Sequence, residues 1–472
     1  MSPQNFLILC SDEHSSTALS CRGHPIIKTP VLDGLAARGT TFTRAYSPSP
    51  ICVPARACLA TGKHVHETRC WSSAEPYHGQ LRSWMHMLRD AGRKVVSVGK
   101  LHFRSAENDN GFCEEILPMY LANDGKGWPQ GLIRDPMPGF EEAAELARDV
   151  GPGETSYTNY DRNITNLASE WIQNADKNDP WTLFVSFISP HYPLTAPQEF
   201  FDLYKDSEIP EPILDTAIEN HPVLSKMREF WDYEDHFDAE SRDLGVRGYY
   251  GLCSFLDHNI GVVLKALEQS GQMENTTILY ISDHGEMLGN HGFWAKSVMY
   301  EDSAGIPMIL AGPDIPTGTN DTPVNLTDVA ATAYDVAGME TSRPLKPWES
   351  ASLADIAKSP DTDRFILSEY HDGGSPTGFY MIRQGDWKYV YYTGGNPSQL
   401  FHLAQDPNEL ADLSSSPEHS GQLSHMHALL LEILDPEGVN AQAFADQKLV
   451  IEANGGKEAI LNMPSFNHTP ID

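Results

Sequence analysis

Continuous apolar runs bounded by polar residues predict the strands of a buried sheet. Strands of a parallel sheet are covered on both faces, so they read as unbroken apolar segments rather than as alternating ones. Five such segments lie at residues 5–10, 94–102, 181–188, 277–281 and 306–312. A return strand is predicted at residues 40–46.

Between these runs, apolar residues recur every three or four positions, which predicts amphipathic helices. The longest covers residues 244–270 and ends before Gly271, a residue type that favours the left-handed conformation of a helix end. Others are predicted at residues 29–39, 80–92, 157–173 and 327–337. Strands that alternate with helices predict an α/β fold with a large mixed, mostly parallel sheet flanked by helices.

After Pro344 the pattern changes to short strands separated by turns, which favours a small antiparallel sheet. The strands are predicted at residues 364–370, 378–383, 386–392 and 399–402, with a closing helix at residues 423–434. We therefore expect two units. Residues 1–343 form the large α/β domain that carries the chemistry, and residues 344–472 form a C-terminal subdomain of antiparallel sheet, helix and tail.

The charge balance narrows the classes of partner. The 472 residues include 65 acids and 33 bases, for a formal charge of −32. A surface that binds nucleic acid or an anionic membrane needs clustered lysine and arginine, so neither partner is expected. An anionic substrate requires a local positive pocket, whereas a substrate with a cationic end is attracted by the surface. A salty habitat explains the acidity equally well.

The cysteines and the N-terminal residues indicate a reducing compartment. Seven cysteines are scattered without paired spacing, so neither a disulfide framework nor a zinc motif is expected. The apolar run at residues 6–10 is far too short to span a membrane, and no basic segment precedes it. We expect a soluble cytoplasmic protein.

A helix that begins at Cys52 forms a candidate anion site. Pro48 and Pro50 hold the preceding residues extended, whereas Pro54 fits the first turn of a helix. Cys52 and Arg56 then share one face, next to the positive end of the helix. The cysteine is either a thiolate nucleophile of lowered pKa or a small side chain that packs at a helix start.

Polar side chains follow two of the predicted parallel strands. Asp12 and Glu13 follow the first strand, and Asp283 and His284 follow the strand at residues 277–281. The carboxyl ends of parallel strands lie at one edge of a sheet, so these four side chains can converge on one cation. For an isolated Asp-Glu pair, the alternative is a solvated turn.

Two further strand ends carry basic side chains. Lys100 and His102 are two residues apart, so on an extended backbone both point to the same side. His191 follows the strand at residues 181–188. Taken alone, such residues lie on surfaces more often than in active sites.

The motif Cys52-x-Pro54-x-Arg56 with a following Thr-Gly, together with Ser-Asp283-His284-Gly-Glu, resembles the formylglycine-dependent sulfatases of the alkaline phosphatase superfamily. The resemblance is strongest to the branch of choline sulfatases and phosphonate monoester hydrolases. It implies that a separate maturation enzyme oxidises Cys52 to formylglycine, whose hydrated aldehyde is the nucleophile. It also implies an alkaline phosphatase-like fold.

By the same resemblance, the matching residues have the following roles. Arg56 holds the hydrated aldehyde; Lys100, His191 and Lys296 contact the sulfate, and His102 contacts the second hydroxyl. One divalent cation on Asp12, Glu13, Asp283 and His284 lowers the pKa of the attacking hydroxyl, and Asp283 takes its proton. After sulfuryl transfer, His102 removes the second proton and sulfate leaves.

The sequence departs from the common sulfatase pattern at two metal positions. Glu13 and His284 stand where many sulfatases carry an aspartate and an asparagine, and an imidazole ligand favours manganese over calcium. The phosphonate hydrolases carry Tyr-x-Thr in place of Lys100-x-His102. Sulfate monoesters, aryl or alkyl, are therefore the expected substrates. The alternatives are a phosphonate monoester or phosphodiester hydrolase with sulfatase side activity, and an unmodified anion-binding protein without turnover.

The released alcohol is not defined by the sequence. Trp71, Trp128 and Tyr192 are candidates to receive an aryl ring or a quaternary ammonium, and equally candidates for packing. Residues 105–155 are loop-rich and either line a pocket or form a surface excursion. The expected partners are a small-molecule sulfate ester, the maturation enzyme and, through the tail at residues 451–472, a second copy of the chain.

Overall fold

The computed structural model describes residues 4–140, 143–214, 221–340, 346–465 and 468–471. The strands, in chain order, are β1 Asn5–Asp12, β2 Gly39–Phe42, β3 Ala45–Tyr46, β4 Lys94–Lys100, β5 Glu114–Met119, β6 Val150–Pro152, β7 Trp181–Pro190, β8 Leu194–Ala196, β9 Thr276–Ser282, β10 Met308–Ala311, β11 Gly318–Asn320, β12 Val324–Asn325, β13 Phe365–Tyr370, β14 Phe379–Gln384, β15 Trp387–Tyr392 and β16 Gln399–His402.

Helices connect these strands and cover the sheet. They are α1 Pro30–Ala37, α2 Cys52–Thr61, α3 Val65–Thr68, α4 Trp84–Asp90, α5 Ala122–Gly125, α6 Ala143–Arg148, α7 Ser156–Asn174, α8 Gln198–Phe201, α9 Pro222–Trp231, α10 Ala239–Gln269, α11 Glu301–Ala304, α12 Asp328–Val336, α13 Leu353–Lys358, α14 Ser420–Ile433, α15 Pro436–Ala453 and α16 Lys457–Leu461. Among the described helices, none is both long and apolar enough to cross a bilayer.

The central sheet is mixed but mostly parallel, as the sequence predicts. Within the described residues it has eight strands in the order β11-β2-β10-β9-β1-β7-β4-β5. The five strands from β9 to β5 are parallel, whereas β10 runs antiparallel to both of its neighbours. The predicted α/β fold is confirmed.

Helices bury both faces of this sheet, which explains its unbroken apolar strands. In β1, Phe6 and Ile8 point into a core that includes residues of α2, α4 and α12. Leu7 and Leu9 point to the opposite face, into a core built with α1, α7 and α10. The helix α2, which carries Cys52, is thereby fixed on one face, with all ten of its residues buried.

The C-terminal strands form the predicted small antiparallel sheet, in the order β13-β14-β15-β16. The helix α14 packs on β14 and β15. The other face of this sheet shares a core with the large unit, in which Tyr370 and Phe379 cluster with Tyr46 and Trp294. The expected boundary between residues 343 and 344 lies outside the described residues, so the division into 1–343 and 344–472 stays a prediction.

Several local predictions differ from the structure, for example the helix predicted at residues 244–270, which begins at Ala239. The single strand at residues 40–46 is divided into β2, in the central sheet, and β3, which pairs with β12. The helix at residues 80–92 begins later, at Trp84, because the Ser83 side chain accepts a hydrogen bond from the His86 amide and caps it there. The loops at residues 105–155 include β5, a partly exposed edge strand whose acidic residues and proline hide its strand character.

Candidate active site

Four neighbouring parallel strands deliver the predicted residues to one edge of the sheet. The order β9-β1-β7-β4 places the ends of these strands side by side. Asp283 follows β9, Asp12 ends β1, His191 follows β7 and Lys100 ends β4. Ser11 pairs with Ser282, so the two aspartates emerge at the same level. The site therefore lies where open α/β sheets bind their ligands.

Arg56 joins the two aspartates from the helix α2. Its Nε donates to Asp283 Oδ2 at 2.8 Å and its Nη2 donates to Asp12 Oδ2 at 2.9 Å. Its Nη1 donates to the Lys100 carbonyl at 2.9 Å. All three side chains are buried, where unpaired charges are strongly destabilising. The guanidinium thus holds the outer oxygens of both carboxylates in place.

Cys52 lies at the start of α2, between acidic and basic side chains. Its Sγ is 3.0 Å from His284 Nε2, 3.6 Å from Asp12 Oδ1 and 3.6 Å from Lys296 Nζ. Burial raises the pKa of the Cys52 thiol, and the Asp12 carboxylate raises it further. The thiolate interpretation is therefore disfavoured for the unmodified residue.

The inner ligand atoms of this cluster fit a cation. One ligand atom from each of Asp12, Cys52, Asp283 and His284 lies within 4.8 Å of the others. The His284 Nδ1 lies 3.1 Å from the Gly285 carbonyl, and a hydrogen bond there directs the lone pair of Nε2 toward the carboxylates. Nε2 is 3.8 Å from Asp12 Oδ1 and 3.7 Å from Asp283 Oδ1. Two carboxylate oxygens and one imidazole form a donor set suited to a divalent metal.

Glu13, the fourth predicted ligand, belongs to an adjoining group formed with Asp12 and His191. Its backbone is left-handed, with φ of 68°, and its amide donates to Asp283 Oδ1 at 3.2 Å. Its Oε1 is buried without a hydrogen-bond partner among the described residues. Such an orphaned oxygen is available to a cation that is shared between the two groups.

Lys296 and His191 form the basic side of the site. Lys296 Nζ lies 2.8 Å from His191 Nε2 and 3.4 Å from Glu13 Oε2. The His191 Nδ1–H donates a hydrogen bond to the Tyr192 carbonyl at 2.7 Å. The lone pair is therefore on Nε2, which accepts a hydrogen bond from the Lys296 ammonium. Burial lowers the pKa of His191, and the charge of Lys296 lowers it further. The imidazole is therefore neutral next to a charged lysine.

Lys100 and His102 reach the site differently from the prediction. The strand β4 ends at Lys100, and His102 has a left-handed backbone with φ of 53°, so strand alternation does not place both residues. Lys100 Nζ pairs with Asp12 Oδ2 at 2.6 Å. Burial lowers the pKa of His102, and Lys100 lowers it further. Both side chains nevertheless line the same cavity.

A cavity of about 130 Å³ opens in front of Cys52 and is mostly apolar. Its aromatic lining consists of Trp128, Phe140, Tyr157, Tyr192, Trp231 and Tyr233. Trp128 and Tyr192 were candidates to receive the leaving group, and both line the cavity. Trp71 lies elsewhere: it packs against Cys58 and Val65, and its indole donates to Asp446 at 2.8 Å. Trp71 is a packing residue.

Several residues that line the cavity were not predicted from the sequence. Trp231 and Tyr233 fall in the acidic, irregular stretch at residues 200–242, whose pattern indicates no function, although four of the eight residues from Phe230 to Phe237 are Phe, Tyr or Trp. His468 and Thr469 belong to the tail, which carries no periodicity. The signal for the first pair was aromatic density; for the second pair the sequence contains none.

Comparisons with known proteins agree with this geometry. The sulfatase family model matches residues 4–339, and a model described as N-sulphoglucosamine sulphohydrolase, C-terminal, matches residues 289–435. A choline-sulfatase of Rhizobium meliloti (strain 1021) is 32% identical over 435 residues, which cover 88% of this chain and 83% of that protein. An arylsulfatase of Clostridium perfringens is 26% identical, with 91% and 94% covered.

Solved structures show the same fold. A phosphonate monoester hydrolase of Agrobacterium radiobacter has a TM-score of 0.75 at 21% identity, with 93% of this chain and 96% of that chain covered. A protein solved with its substrate D-glucosamine-2-N,6-O-disulfate has a TM-score of 0.73 at 22% identity, with 94% and 99% covered. The fold, the family model that matches most of the chain and the choline-sulfatase similarity lead to one conclusion: the chain belongs to the sulfatase family.

Proposed function

We propose that this chain hydrolyses sulfate monoesters of small organic alcohols, with a nucleophile made from Cys52. The observation that carries the proposal is the position of Cys52. It begins the helix α2, lies 3.0 Å from His284 Nε2 and 3.6 Å from Lys296 Nζ, and faces the cavity. Membership of the sulfatase family supports the reaction class.

The nucleophile is the hydrated aldehyde of formylglycine, produced when a maturation enzyme oxidises Cys52. Burial and the Asp12 charge raise the pKa of the unmodified thiol, which makes it a poor nucleophile at neutral pH. A hydrated aldehyde carries two hydroxyls, one to attack sulfur and one whose deprotonation later expels sulfate. This pair of hydroxyls explains the need for a modified residue.

Asp12, Asp283 and His284 would hold one divalent cation, calcium or manganese, and Glu13 would join them from the adjoining group. When bound, such a cation would lower the pKa of a hydroxyl toward neutral pH. The outer oxygens of both aspartates remain occupied by Arg56. That arrangement keeps their inner oxygens directed at His284 and Cys52.

The basic side chains stabilise the charge that develops on the sulfuryl group. Lys296 and His191 lie together on one side of Cys52, and Lys100 lines the same cavity. Fixed donors in a site that excludes water stabilise such charge more strongly than they would in water. Lys296 donates to the leaving oxygen, and His102 serves as the base of the second step.

The second candidate is a phosphonate monoester or phosphodiester hydrolase, favoured by the structural similarity to the Agrobacterium radiobacter enzyme. The decisive measurement is kcat/KM for an aryl sulfate against the matching aryl phosphonate monoester. The protein is co-expressed with a maturation enzyme and supplied with manganese or calcium. We expect the sulfate to be preferred, because Lys100 and His102 are retained. A preference for the phosphonate of more than about tenfold would reverse the assignment.

The third candidate, an unmodified anion-binding protein, is separated by mass spectrometry of the peptide that contains Cys52. An aldehyde at this position in protein from its native host supports turnover, whereas a thiol there supports binding alone. We also propose that the protein is cytoplasmic, that a maturation enzyme and a second copy of the chain are its partners, and that its two units divide between residues 343 and 344. The described tail residues lie against their own chain.

A further inference from the structure

Described residues of the C-terminal tail lie against the active-site loop and in the active-site cavity. Ile460, the first of them, is buried next to Leu132. The Gln130 side chain donates to the Met463 carbonyl at 2.9 Å, and the Asn123 side chain donates to the Pro464 carbonyl at 3.2 Å. These contacts tie the tail to the loop that carries the cavity residue Trp128.

The residues 468–471 then enter the site itself. His468 and Thr469 line the cavity, and the His468 ring meets the Tyr157 ring edge-on at 5.0 Å. The Tyr157 hydroxyl donates to the Thr469 carbonyl at 2.8 Å. Beyond the cavity, Ile471 packs against the core on the α7 side of the sheet. The tail is therefore fixed by contacts on both sides of Thr469.

Thr469 also touches a residue that we assign to catalysis. Its Oγ1 lies 3.0 Å from His102 Nε2. The other ring nitrogen of His102, Nδ1, is buried without a hydrogen-bond partner among the described residues. The backbone amide of His102 is held separately, by the Met119 carbonyl at 2.9 Å. Within the described part of the chain, the Thr469 hydroxyl is therefore the polar contact that fixes the direction of this imidazole.

We propose that Thr469 is a positioning residue that orients the His102 imidazole for the release of sulfate. The inference rests on the proposed function. A neutral imidazole has one N–H and one lone pair. A Thr469 hydroxyl that accepts a hydrogen bond from Nε2–H therefore fixes the rotation of the ring and leaves the lone pair on Nδ1, which acts as the base. The tail thus completes the active site from the far end of the chain.

The step that depends on this orientation is the second half of the reaction. The first half transfers the sulfuryl group to one hydroxyl of the modified residue 52, and the alcohol leaves. In the second half, His102 takes the proton of the remaining hydroxyl, the electron pair forms the aldehyde C=O, and the C–O bond to sulfate breaks. Sulfate departs with the electron pair of the broken C–O bond, and addition of water to the aldehyde restores the hydrate.

The test compares Thr469→Val, which keeps the shape and removes the hydroxyl, with Thr469→Ser, which keeps the hydroxyl. Quenched-flow mass spectrometry of the peptide that contains residue 52 follows formation and decay of its sulfated form. We expect T469V to slow the decay about tenfold or more, because a misdirected His102 loses part of the rate acceleration that a general base provides. The rate of formation should change less than about twofold. T469S should restore most of the decay rate.

Thr319, exposed on β11, supplies the matched control, T319V, which should leave both rates unchanged. The inference is overturned if the sulfated form decays as fast in T469V as in wild type. It is also overturned if T469V and T469S slow both the formation and the decay of the sulfated form to the same extent. A failure of the proposed function has a different signature: wild-type protein with an aldehyde at residue 52 would form no sulfated peptide from any sulfate ester.

Discussion

At the scale of single residues, the site is organised around buried charge pairs. Arg56 forms ion pairs with Asp12 and Asp283, and Lys100 forms a further ion pair with Asp12. Burial alone would raise the pKa of Asp12, but Lys100 and the neighbouring cations hold it well below its ordinary range. Burial, reinforced by the Asp12 charge, raises the pKa of Asp283 to about 6. The two carboxylates therefore differ in proton affinity although they share one guanidinium.

Removal of Arg56 is predicted to destabilise the fold as well as to abolish activity. R56A leaves two buried carboxylates without their shared partner, which costs about 3–5 kcal/mol in the free energy of unfolding. R56K keeps the charge but not the forked geometry, so its stability should fall between those of wild type and R56A. Urea unfolding at pH 7 measures the difference. An R56A midpoint equal to that of wild type would contradict the pairing.

The sequence motif identified these residues but not their partners. Cys52, Arg56 and Asp283 were chosen from the motif, and all three lie in the site. That Arg56 holds the aspartates required the fold, because the pairing joins residues that are far apart in the chain. The placement of Glu13 beside His191 and Lys296 also depends on its left-handed backbone, which no spacing rule indicates for a glutamate.

At the scale of elements, the helix α3 is linked to the C-terminal sheet by an ion pair between a half-buried imidazole and a buried carboxylate. His66 Nδ1 lies 2.8 Å from Glu369 Oε1, on β13. Burial alone would lower the pKa of His66, but the Glu369 carboxylate raises it above its ordinary value. The folded state therefore binds this proton more tightly than the unfolded chain does, and the pair stabilises the fold when the imidazole is charged.

This pair predicts a pH-dependent stability difference between wild type and E369Q. The stabilisation is fully present below the unfolded pKa of about 6.5 and is lost as the pH rises through the folded pKa of His66. We expect wild type to exceed E369Q by about 2 kcal/mol in unfolding free energy at pH 6, and by less at pH 9. Urea titrations at the two pH values measure this difference, and a difference that does not change with pH would refute it.

The central elements were predictable because burial gives them a plain signature. The strands β1, β4, β7 and β9 are unbroken apolar runs, and the structure has each within about two residues of its predicted bounds. Peripheral elements were not predictable in this way. The edge strand β5 is partly exposed. The predicted strand at residues 40–46 is divided into β2 and β3, because β2 pairs with β10 and β3 pairs with β12 in a different sheet. Tertiary contacts outweigh local pattern at those positions.

At the scale of the whole molecule, the two expected units share one core. Phe379 and Tyr392 from the C-terminal sheet pack with Tyr46 and Trp294 from the large unit. Shared apolar surface couples the unfolding of both parts, because neither part can unfold without exposing the other. The tail adds a second link, since Thr469 reaches His102.

We therefore predict one cooperative thermal transition for the whole chain. Differential scanning calorimetry should give a single peak with equal calorimetric and van't Hoff enthalpies. F379A, which removes a fully buried ring, should lower that one transition by about 3–5 kcal/mol of stability rather than create a second peak. Two resolved transitions in wild type would show that the C-terminal sheet is an independent domain.

We infer that turnover depends on an aldehyde derived from Cys52, and a titration of activity against aldehyde content measures this dependence. Preparations with different degrees of maturation are made by varying co-expression of the maturation enzyme, and C52A provides the zero point. The aldehyde fraction is measured by mass spectrometry, and sulfate release from an aryl sulfate is measured on the same samples. We expect a rate per protein that is proportional to the aldehyde fraction and vanishes for C52A. A rate that does not change with the aldehyde fraction would contradict it.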